Sequence, residues 1–489
     1  MALIKVSDLT FSYFGSNEKI FENVSFQIDT DWKLGFIGRN GRGKTTFLNL
    51  LLGKFEYEGK IISPVDFKYF PQTIANKTLE VIDLAYTLNP YLELWQLEKE
   101  ISLLDLPKEI LYRQFNTLSN GEQTKFLLAM LFTNDNHEFL LIDEPTNHLD
   151  ENARKIVANY LNTKKGFILV SHDRMLLDNC VDHILSINRS NIEIQSGNFS
   201  SWYYNKEMQD GFELAENEKL KKELKRLNQS MQRTSNWAQK IEKSKYGNGP
   251  VDRGFIGHKS AKMMKRSKHI EKRQQTLYEK KSNLLNNIEE IENLKITSLS
   301  HHSDNLVIFE NISIQYNKPV CENINFVIKN GDKIALKGKN GSGKSSVLKL
   351  ICGENINCTG NLYKANNLII SYVPQDTSFL KGHLDDFARL NKTDVTLFKT
   401  ILSKLDFSRE HFEKDMKDYS AGQKKKVLIA KSLCEQAHIY IWDEPLNYID
   451  VFSRLQIENL LLNAEITLLF VEHDNIFSNN IKTDIINLK

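Results

Sequence analysis

Cysteine is scarce in this sequence and forms no paired arrangement. The five cysteines are scattered along 489 residues, and no two of them stand in a Cys-x-x-Cys pair. An odd number without paired spacing is typical of reduced thiols in a cytosolic protein. It argues against a disulfide framework and supplies no ligand set for a structural zinc ion. The five positions are Cys180, Cys321, Cys352, Cys358 and Cys434.

Long apolar runs are missing as well. A membrane-spanning helix needs about 20 consecutive apolar residues, whereas the longest apolar runs here, such as Phe139–Ile142 and Thr467–Val471, have the length of strands. The first residues lack the basic start and long apolar core of a signal peptide. The formal net charge is only +2, so the charge of the whole chain says little about partners. We therefore expect a cytoplasmic globular protein without a membrane segment.

Five short motifs occur twice, in the same order and about 300 residues apart. Several matches in register indicate a duplicated domain. The sequence therefore predicts two related domains, residues 1–204 and 301–489, joined by an unduplicated segment, 205–300. The pairs are GRNGRGKTT (Gly38–Thr46) and GKNGSGKSS (Gly338–Ser346), FPQ (Phe70–Gln72) and VPQ (Val373–Gln375), LSNGEQ (Leu118–Gln123) and YSAGQ (Tyr419–Gln423), FLLIDEPTNHLD (Phe139–Asp150) and IYIWDEPLNYID (Ile439–Asp450), and VSHD (Val170–Asp173) and VEHD (Val471–Asp474).

The first pair of motifs has the pattern GxxxxGK[ST] of a phosphate-binding loop. Its glycines let backbone N–H groups turn toward phosphates, and the following helix presents its positive N-terminal end. The lysines should contact the β- and γ-phosphates, and the hydroxyls that follow them should bind Mg²⁺. By itself this motif predicts only a nucleoside triphosphatase. The loop residues expected to bind ATP are Gly38, Asn40, Gly41, Gly43, Lys44, Thr45 and Thr46, and Gly338, Asn340, Gly341, Gly343, Lys344, Ser345 and Ser346.

An acidic pair ends an apolar run in each copy, Asp143-Glu144 and Asp443-Glu444. The aspartate can hold Mg²⁺ through water, and the glutamate can polarise the attacking water as a general base. An acidic pair after a strand can instead cap a helix, but its register with the phosphate loop favours the catalytic interpretation. Because both glutamates are present, hydrolysis is predicted at both sites.

The motifs LSNGEQ and YSAGQ make the sequence resemble the ATP-binding-cassette family over residues 1–200 and 304–489. The resemblance implies an α/β fold with two ABC-type nucleotide-binding domains in tandem, paired head to tail within one monomeric chain. Each ATP would lie between the phosphate loop of one domain and the signature motif of the other. The signature groups implied to contact the γ-phosphate are the hydroxyls of Ser119 and Ser420 and the backbone N–H groups of Gly121 and Gly422.

The same resemblance implies three further pairs of site residues. Tyr13 and Tyr316 would stack on adenine, with Phe14 as the competitor in the first copy. The other implied residues are Gln72 and Gln375, which would touch Mg²⁺ and the attacking water, and His172 and His473, which would contact the γ-phosphate. Three departures from the family pattern, at Arg42, Asn120 and Ala421, remove no catalytic group, although the two sites could differ in rate.

The segment between the copies has a helical and basic composition. Apolar residues recur at heptad-like spacing from Leu220 to Ile241 and from Met263 to Ile291, which predicts two long helices in an antiparallel coiled-coil hairpin. The predicted turn is GNGP (Gly247–Pro250), with the tip near residues 246–257. Residues 205–295 hold 21 lysines and arginines against 13 acidic residues, and residues 233–273 hold 12 against 3.

This concentration of positive charge at the tip favours binding of nucleic acid over the alternative of a merely solvated helical face. Lysine and arginine neutralise phosphates, and aromatic rings such as Trp237 can stack on unpaired bases. The residues we expect to contact RNA are Lys240, Lys243, Lys245, Tyr246, Arg253, Phe255, Lys259, Lys262, Lys265 and Arg266.

Two fused cassettes with a charged helical linker resemble the ABC-F family, and SGNFSSWYYNKE (Ser196–Glu207) is similar to its linker entry. The resemblance implies binding at the exit site of the ribosome in the ATP form, with the linker tip directed toward the peptidyl-transferase centre, near rRNA and tRNA. A long linker with a short insertion between Gln72 and Leu118 looks most like the antibiotic-resistance branch of the Lsa/Vga type. The implied drugs are lincosamides, pleuromutilins and streptogramin A.

Three alternatives remain open. A housekeeping ABC-F translation factor differs from a resistance factor only in linker length and tip sequence. The ATPase subunit of an exporter would need a separate membrane partner, and the basic linker argues against it. A DNA-repair or chromosome ATPase usually carries zinc-binding cysteines or a far longer coiled coil.

Overall fold

The computed structural model describes residues 2–15, 19–133, 138–147, 149–188, 192–243, 253–285, 294–316 and 319–488. Within these ranges the chain forms two compact units. One unit contains both copies of the repeated domain, and the other contains the helices of the linker.

The first copy combines a six-stranded sheet, of order β5-β6-β7-β3-β8-β9, with a three-stranded antiparallel sheet, of order β2-β1-β4. The larger sheet is parallel except for its last strand. The elements are β1 (Leu3–Phe11), β2 (Phe21–Asp29), β3 (Lys33–Gly38), α1 (Lys44–Leu51), β4 (Glu58–Ile62), β5 (Asp66–Phe70), α2 (Val81–Leu88), α3 (Leu94–Leu103), α4 (Asn120–Leu131), β6 (Glu138–Asp143), α5 (Glu151–Asn162), β7 (Phe167–Val170), α6 (Arg174–Cys180), β8 (His183–Ile187) and β9 (Ile192–Ser196).

The second copy repeats this plan with a five-stranded parallel sheet, of order β14-β15-β16-β12-β17, and an antiparallel sheet, of order β11-β10-β13. The elements are β10 (Asn305–Gln315), β11 (Pro319–Lys329), β12 (Lys333–Lys337), α9 (Lys344–Cys352), β13 (Cys358–Lys364), β14 (Ile370–Val373), α10 (Leu384–Leu390), α11 (Val395–Lys404), α12 (Arg409–Glu413), α13 (Ala421–Cys434), β15 (Ile439–Asp443), α14 (Val451–Asn463), β16 (Leu468–Val471), α15 (Asn475–Ile481) and β17 (Asp484–Asn487).

The central strands are apolar because both faces of each sheet are covered. Phe139–Ile142 of β6 and Ile439–Trp442 of β15 are buried throughout, as parallel strands between two layers require. The indole N–H of Trp442 donates to the hydroxyl of Ser432 at 3.0 Å, so its polar atom is satisfied inside the core.

This topology brings the repeated motifs to one edge of each sheet. The phosphate loop follows β3 or β12, the acidic pair ends β6 or β15, and the histidine motif follows β7 or β16. These strands are neighbours in each sheet. Since parallel strands end at the same edge, their carboxyl ends form the expected ligand-binding crevice.

The linker contains two long helices, α7 (Phe199–Lys243) and α8 (Arg253–Leu285). At about 1.5 Å per residue they are about 65 Å and 50 Å long, and Arg273 on α8 donates to Glu223 on α7 at 2.8 Å. The helix α7 begins inside the segment that we assigned to the first domain, and the predicted turn lies outside the described residues. The heptad pattern predicts that its apolar residues are shielded from solvent between the two helices. Those that are buried or half-buried are Leu220, Leu224, Leu227, Met263, Ile270 and Leu277.

Candidate active sites

Both phosphate loops curve around the side chain of their lysine. Lys44 Nζ donates to the carbonyl oxygens of Gly38 at 2.6 Å and Arg39 at 3.1 Å, and Lys344 Nζ donates in the same way within its own loop. The curve needs a left-handed residue just before the helix, and Gly43 supplies it with a φ of 92°. A Cβ at Gly43 would also lie 2.5 Å from the side chain of Ile20, so only glycine fits.

The aspartates expected to hold Mg²⁺ lie beside the hydroxyls expected to share it. In the first copy, the carboxylate oxygen Oδ2 of Asp143 accepts hydrogen bonds from Thr45 Oγ1 at 3.2 Å and from the hydroxyl of Tyr69 at 3.0 Å. In the second copy, Asp443 is buried, and neither of its carboxylate oxygens accepts a well-formed hydrogen bond from the residues that the structure describes. The hydroxyl of Ser345 is near enough to lower the Asp443 pKa in part, although burial raises it overall.

Carboxylate oxygens beside a hydroxyl, half-buried at Asp143 and buried at Asp443, suit Mg²⁺, which binds through oxygen ligands. Thr45 and Asp143 would hold the ion in the first copy, and Ser345 and Asp443 in the second. Bound there, Mg²⁺ would neutralise charge on the transferred phosphoryl group.

The two candidate general bases differ in their surroundings. Glu444 Oε2 accepts a hydrogen bond from Gln375 Nε2 at 2.7 Å, and Glu444 Oε1 lies 3.4 Å from His473 Nε2. Burial alone would raise the Glu444 pKa, but the bonds from His473 and Gln375 outweigh it and lower the pKa to about 2. Glu444 is therefore an ionised, oriented carboxylate.

Glu144 has fewer donors around it. Glu144 Oε1 is buried without a hydrogen-bond partner among the described residues, and His172 Nε2 lies 3.5 Å away. Burial, followed by the charge of Asp143, raises the Glu144 pKa to about 8. Gln375 donates to Glu444, but Gln72 makes no hydrogen bond to Glu144 within the described part of the chain. The roles predicted for both glutamines, contact with Mg²⁺ and the attacking water, stay predictions.

The signature motifs begin helices, as a phosphate-binding role requires. The hydroxyl of Ser119 accepts from the backbone N–H of Glu122 at 3.2 Å, and the Glu122 carboxylate accepts from the N–H of Ser119 at 2.8 Å. Ser420 and Gln423 form the same reciprocal cap on α13. Each motif thus presents a helix N-terminus, whose partial positive charge favours anions.

A cavity of about 900 Å³ joins the phosphate loop of the second copy to the signature motif of the first. Its walls therefore combine groups about 220 residues apart, in the head-to-tail arrangement that the resemblance implied. The site residues that line it are Ser119, Gly121, Tyr316, Asn340, Gly341, Gly343, Lys344, Ser345, Ser346, Gln375, Glu444 and His473.

The phosphate loop of the first copy and the signature motif of the second copy lie against each other. Asn40 Nδ2 donates to the backbone oxygen of Tyr448 at 2.8 Å, across the two copies. A Cβ at Gly422 would lie 2.3 Å from that oxygen and 2.9 Å from Asn40 Nδ2. Arg42, one of the departures from the family pattern, lies 3.6 Å from the carboxylate of Asp406. The first phosphate loop therefore faces the second signature motif, with the two surfaces closed on one another.

Two ion-pair clusters on this interface differ from each other. Arg174 of the first copy donates to Glu458 of the second at 2.8 Å and lies 3.6 Å from Asp474. In the other cluster, Glu151 of the first copy lies 3.6 Å from Lys337 of the second. The two copies thus contribute different charged groups to their shared interface.

Three residues that contact the signature helix or the predicted metal ligands were not predicted from the sequence. Lys426 on α13 donates to the buried carboxylate of Asp450 at 2.8 Å, which links the signature helix to the segment before α14. Asp450 is the last residue of the repeated motif that ends in HLD in the first copy and YID in the second. This repetition could have identified it as a candidate site residue. Tyr69, immediately before FPQ, also recurs as Tyr372, but a tyrosine on a strand looks like an ordinary core residue.

The aromatic residues expected on adenine lie beside the phosphate loops. The hydroxyl of Tyr13 is 2.8 Å from Thr46 Oγ1, and that of Tyr316 is 3.1 Å from Ser346 Oγ. Both rings are about half exposed, at 44% and 54%, so a face of each is available for stacking. Phe14, the competitor in the first copy, is fully exposed.

Replacing Tyr13 and Tyr316 with alanine is expected to weaken ATP binding at both sites by roughly tenfold, because base–aromatic stacking contributes about 1–3 kcal/mol per base. Titration with a fluorescent ATP analogue measures the loss. Phe14→Ala is the matched control and should bind like the wild type. If Phe14→Ala loses more affinity than Tyr13→Ala, the adenine-stacking ring in the first copy is Phe14.

The linker residues expected to contact RNA are only partly described. Trp237 is 63% exposed, and Lys262, Lys265 and Arg266 are exposed as well. Lys245 and Tyr246 lie outside the described residues, and so do the side chains of Lys240, Lys243, Arg253, Phe255 and Lys259.

The profile of the family described as "ABC transporter" matches residues 21–147 and 321–447, more than half of the chain. The chain therefore belongs to this family, and its two matched domains imply ATP-binding ATPase activity. The predicted α/β fold class with two tandem ABC domains is confirmed. No helix in the described ranges is both long and apolar enough to cross a membrane.

Similar proteins cover nearly the whole chain. It is 28% identical to the ATP-binding protein Uup of Buchnera aphidicola, over 98% of this chain and 79% of the relative. It is 27% identical to the ribosome protection protein VmlR of Bacillus subtilis, over 95% of this chain and 83% of the relative. It is also 27% identical to the erythromycin resistance ATP-binding protein MsrA of Staphylococcus epidermidis, over 96% and 95%.

Solved structures show the same fold at lower identity. The structure titled RNase-L Inhibitor aligns with a TM-score of 0.63 and 20% identity, over 98% of this chain and 87% of that one. The archaeal ribosome recycling factor aABCE1, in complex with the ribosomal stalk protein aP1, aligns with a TM-score of 0.62 and 19% identity, also over 98% and 87%.

Proposed function

We propose that this chain is a cytoplasmic ABC-F ATPase that hydrolyses ATP to ADP and phosphate at two composite sites. The observation that carries the proposal is the cavity that joins Lys344 of one copy to Ser119 of the other. A triphosphate bound by the phosphate loop would meet the signature helix N-terminus at its far end. ATP would therefore hold the two copies together, and its cleavage would loosen them.

The proposed chemistry uses groups that are already oriented. Lys344 would bind the phosphates, Glu444 would accept a proton from the attacking water, and Gln375 and His473 would keep that carboxylate in place. In the first copy Lys44, Glu144 and His172 would take the matching positions, with slower turnover expected because burial keeps Glu144 largely protonated near neutral pH.

We further propose that the ATP-bound, closed chain binds the ribosome and directs its basic linker toward the peptidyl-transferase centre. Support comes from the relatives that are named as a ribosome protection protein and a resistance ATP-binding protein, each similar to nearly the full chain. Exposed Trp237, Lys262 and Arg266 on the linker helices suit contacts with RNA. Monomeric action follows from the pairing of both copies within one chain.

The ribosome proposal is tested with a variant that binds ATP but hardly cleaves it. Glu144→Gln combined with Glu444→Gln should remain on ribosomes when purified from cells, and the purified complex should contain large-subunit rRNA. A matched variant, Lys44→Ala with Lys344→Ala, should not, because it lacks the phosphate contacts that close the copies. Recovery of the Glu→Gln variant free of ribosomes would defeat the proposal.

Protection against antibiotics is the finer proposal. Expression of the wild type in a susceptible host should raise the inhibitory concentrations of a lincosamide, a pleuromutilin and streptogramin A, and the catalytically inactive variant should not. Erythromycin makes a fourth arm, because one relative is named for resistance to it. Unchanged susceptibility to all four drugs would favour a housekeeping translation factor.

A further inference from the structure

Each copy carries a tyrosine immediately before its FPQ or VPQ motif, and the hydroxyl of the first contacts the metal-binding carboxylate. Tyr69 on β5 is half-buried, and its hydroxyl donates to Asp143 Oδ2 at 3.0 Å. Lys54 Nζ lies 5.4 Å from the centre of the ring, so a cation–π contact also restrains the ring. None of the roles described above uses this tyrosine.

The register of the sheet explains how the hydroxyl reaches the carboxylate. Tyr69 pairs with Leu141 on the parallel neighbour β6, and Asp143 follows two residues later. Residues two apart on a strand share a face and are separated by about 6.6 Å. A phenol ring spans about that distance, so its hydroxyl arrives at the strand end where the aspartate lies.

The second copy repeats the placement. Tyr372 on β14 pairs with Ile441, again two residues before its aspartate. The hydroxyl of Tyr372 is buried and has no hydrogen-bond partner among the described residues. Both carboxylate oxygens of Asp443 are likewise buried without a hydrogen-bond partner there. The strand register therefore places Tyr372 beside Asp443 as it places Tyr69 beside Asp143, and the described residues show the hydrogen bond itself in the first copy.

We propose that Tyr69 and Tyr372 are positioning residues that orient Asp143 and Asp443 for Mg²⁺ and so set the Mg²⁺ concentration that the ATPase needs. The inference rests on the ATPase function proposed above. A hydroxyl donating to a carboxylate fixes its rotamer and favours its ionised form. Groups that orient metal ligands in this way typically contribute about 10–100-fold to metal affinity.

The position of the tyrosines in the chain adds a second consequence. Gln72 and Gln375 follow three residues after them, at the end of the same strands. In the first copy, the hydrogen bond from Tyr69 to Asp143 therefore fixes the strand that leads to Gln72 relative to the carboxylate expected to hold the metal.

The test compares a Tyr69→Phe/Tyr372→Phe double variant with the wild type. Binding of trinitrophenyl-ATP is measured in EDTA and during titration with Mg²⁺, and hydrolysis is measured over the same titration. The double variant should need about tenfold more Mg²⁺ for half-maximal binding and hydrolysis. Its binding in EDTA and its rate at saturating Mg²⁺ should match the wild type. Tyr363→Phe, on an exposed residue of β13, is the control and should behave as the wild type.

Three outcomes separate the possibilities. Equal Mg²⁺ dependence of variant and wild type overturns the inference. Equal loss of binding in EDTA and in Mg²⁺, together with a lower melting temperature without ligand, assigns the tyrosines a purely structural role and also overturns it. A wild type that neither binds nor hydrolyses ATP in a Mg²⁺-dependent way contradicts the proposed function itself.

Discussion

Glu444→Gln is expected to lower steady-state ATP hydrolysis by about 100-fold or more, the usual contribution of a positioned general base. The carboxylate of Glu444 accepts a hydrogen bond from Gln375, faces His473, and lines the open cavity between the copies. Its low pKa keeps it ionised near neutral pH. Glutamine keeps the shape of the side chain but cannot accept the proton.

Glu144→Gln is expected to have a much smaller effect on the same rate. Glu144 Oε1 is buried without a partner among the described residues, and the raised pKa leaves the carboxyl largely protonated near neutral pH. Phosphate release with saturating ATP and Mg²⁺ measures both variants, and Glu354→Gln, on the surface, is the control. If the two substitutions lower the rate of hydrolysis equally, both glutamates contribute equally to turnover and the expected difference between the sites is wrong.

Lys426→Met is expected to destabilise the second copy by about 3–5 kcal/mol, the cost of breaking a buried ion pair by removing one partner. Lys426 is 3% exposed and Asp450 is fully buried, with 2.8 Å between Nζ and Oδ2. The substitution leaves the aspartate charged and without its cation. Urea denaturation followed by hydrogen exchange in α13 and α14 measures the change in the second copy.

Two further variants separate the ion pair from simple packing. Lys426→Met combined with Asp450→Asn removes both charges and should recover much of the lost stability, because asparagine can still cap α14. Lys125→Met changes the equivalent lysine of the first copy, for which no ion pair is seen among the described residues, and should cost less. If Lys125→Met is as destabilising as Lys426→Met, the buried pair is not the source of the effect.

The sequence predicts this fold well where function constrains short segments. Glycine spacing, acidic pairs and apolar runs locate the strand ends and phosphate loops, because each motif needs one backbone geometry. The heptad spacing likewise agrees with the buried or half-buried positions Leu220, Leu224 and Leu227 on α7, and with Met263, Ile270 and Leu277 on α8. These patterns are local, so they can be read directly from the chain.

Contacts between the copies could not be predicted in the same way. Asn40 meets the backbone of Tyr448 across 408 positions of the sequence, and nothing in the local pattern of either residue indicates the other. The different surroundings of Glu144 and Glu444 are equally hidden, because both follow an aspartate at the end of an apolar strand. Side-chain donors from other strands decide which carboxylate is oriented.

The unequal ion pairs between the copies have a consequence for how the duplicated halves can be combined. Arg174 and Glu458 have no charged counterparts at the equivalent positions, which are Asn475 in the second copy and Ala158 in the first. Two first halves would place Arg174 opposite an alanine, and two second halves would leave Glu458 without an arginine.

The other cluster follows the same rule. Glu151 corresponds to Val451, and Lys337 corresponds to Ile37. Each half therefore lacks a charged partner that the other half supplies, such as Glu458 for Arg174 and Lys337 for Glu151. The two halves are therefore complementary rather than equivalent, so pairing two copies of the same half would leave these charges without the partners they have here. Because both halves lie on one chain, each folds beside its complementary partner. A chain in which one half is replaced by a second copy of the other is expected to lack these ion pairs between its halves.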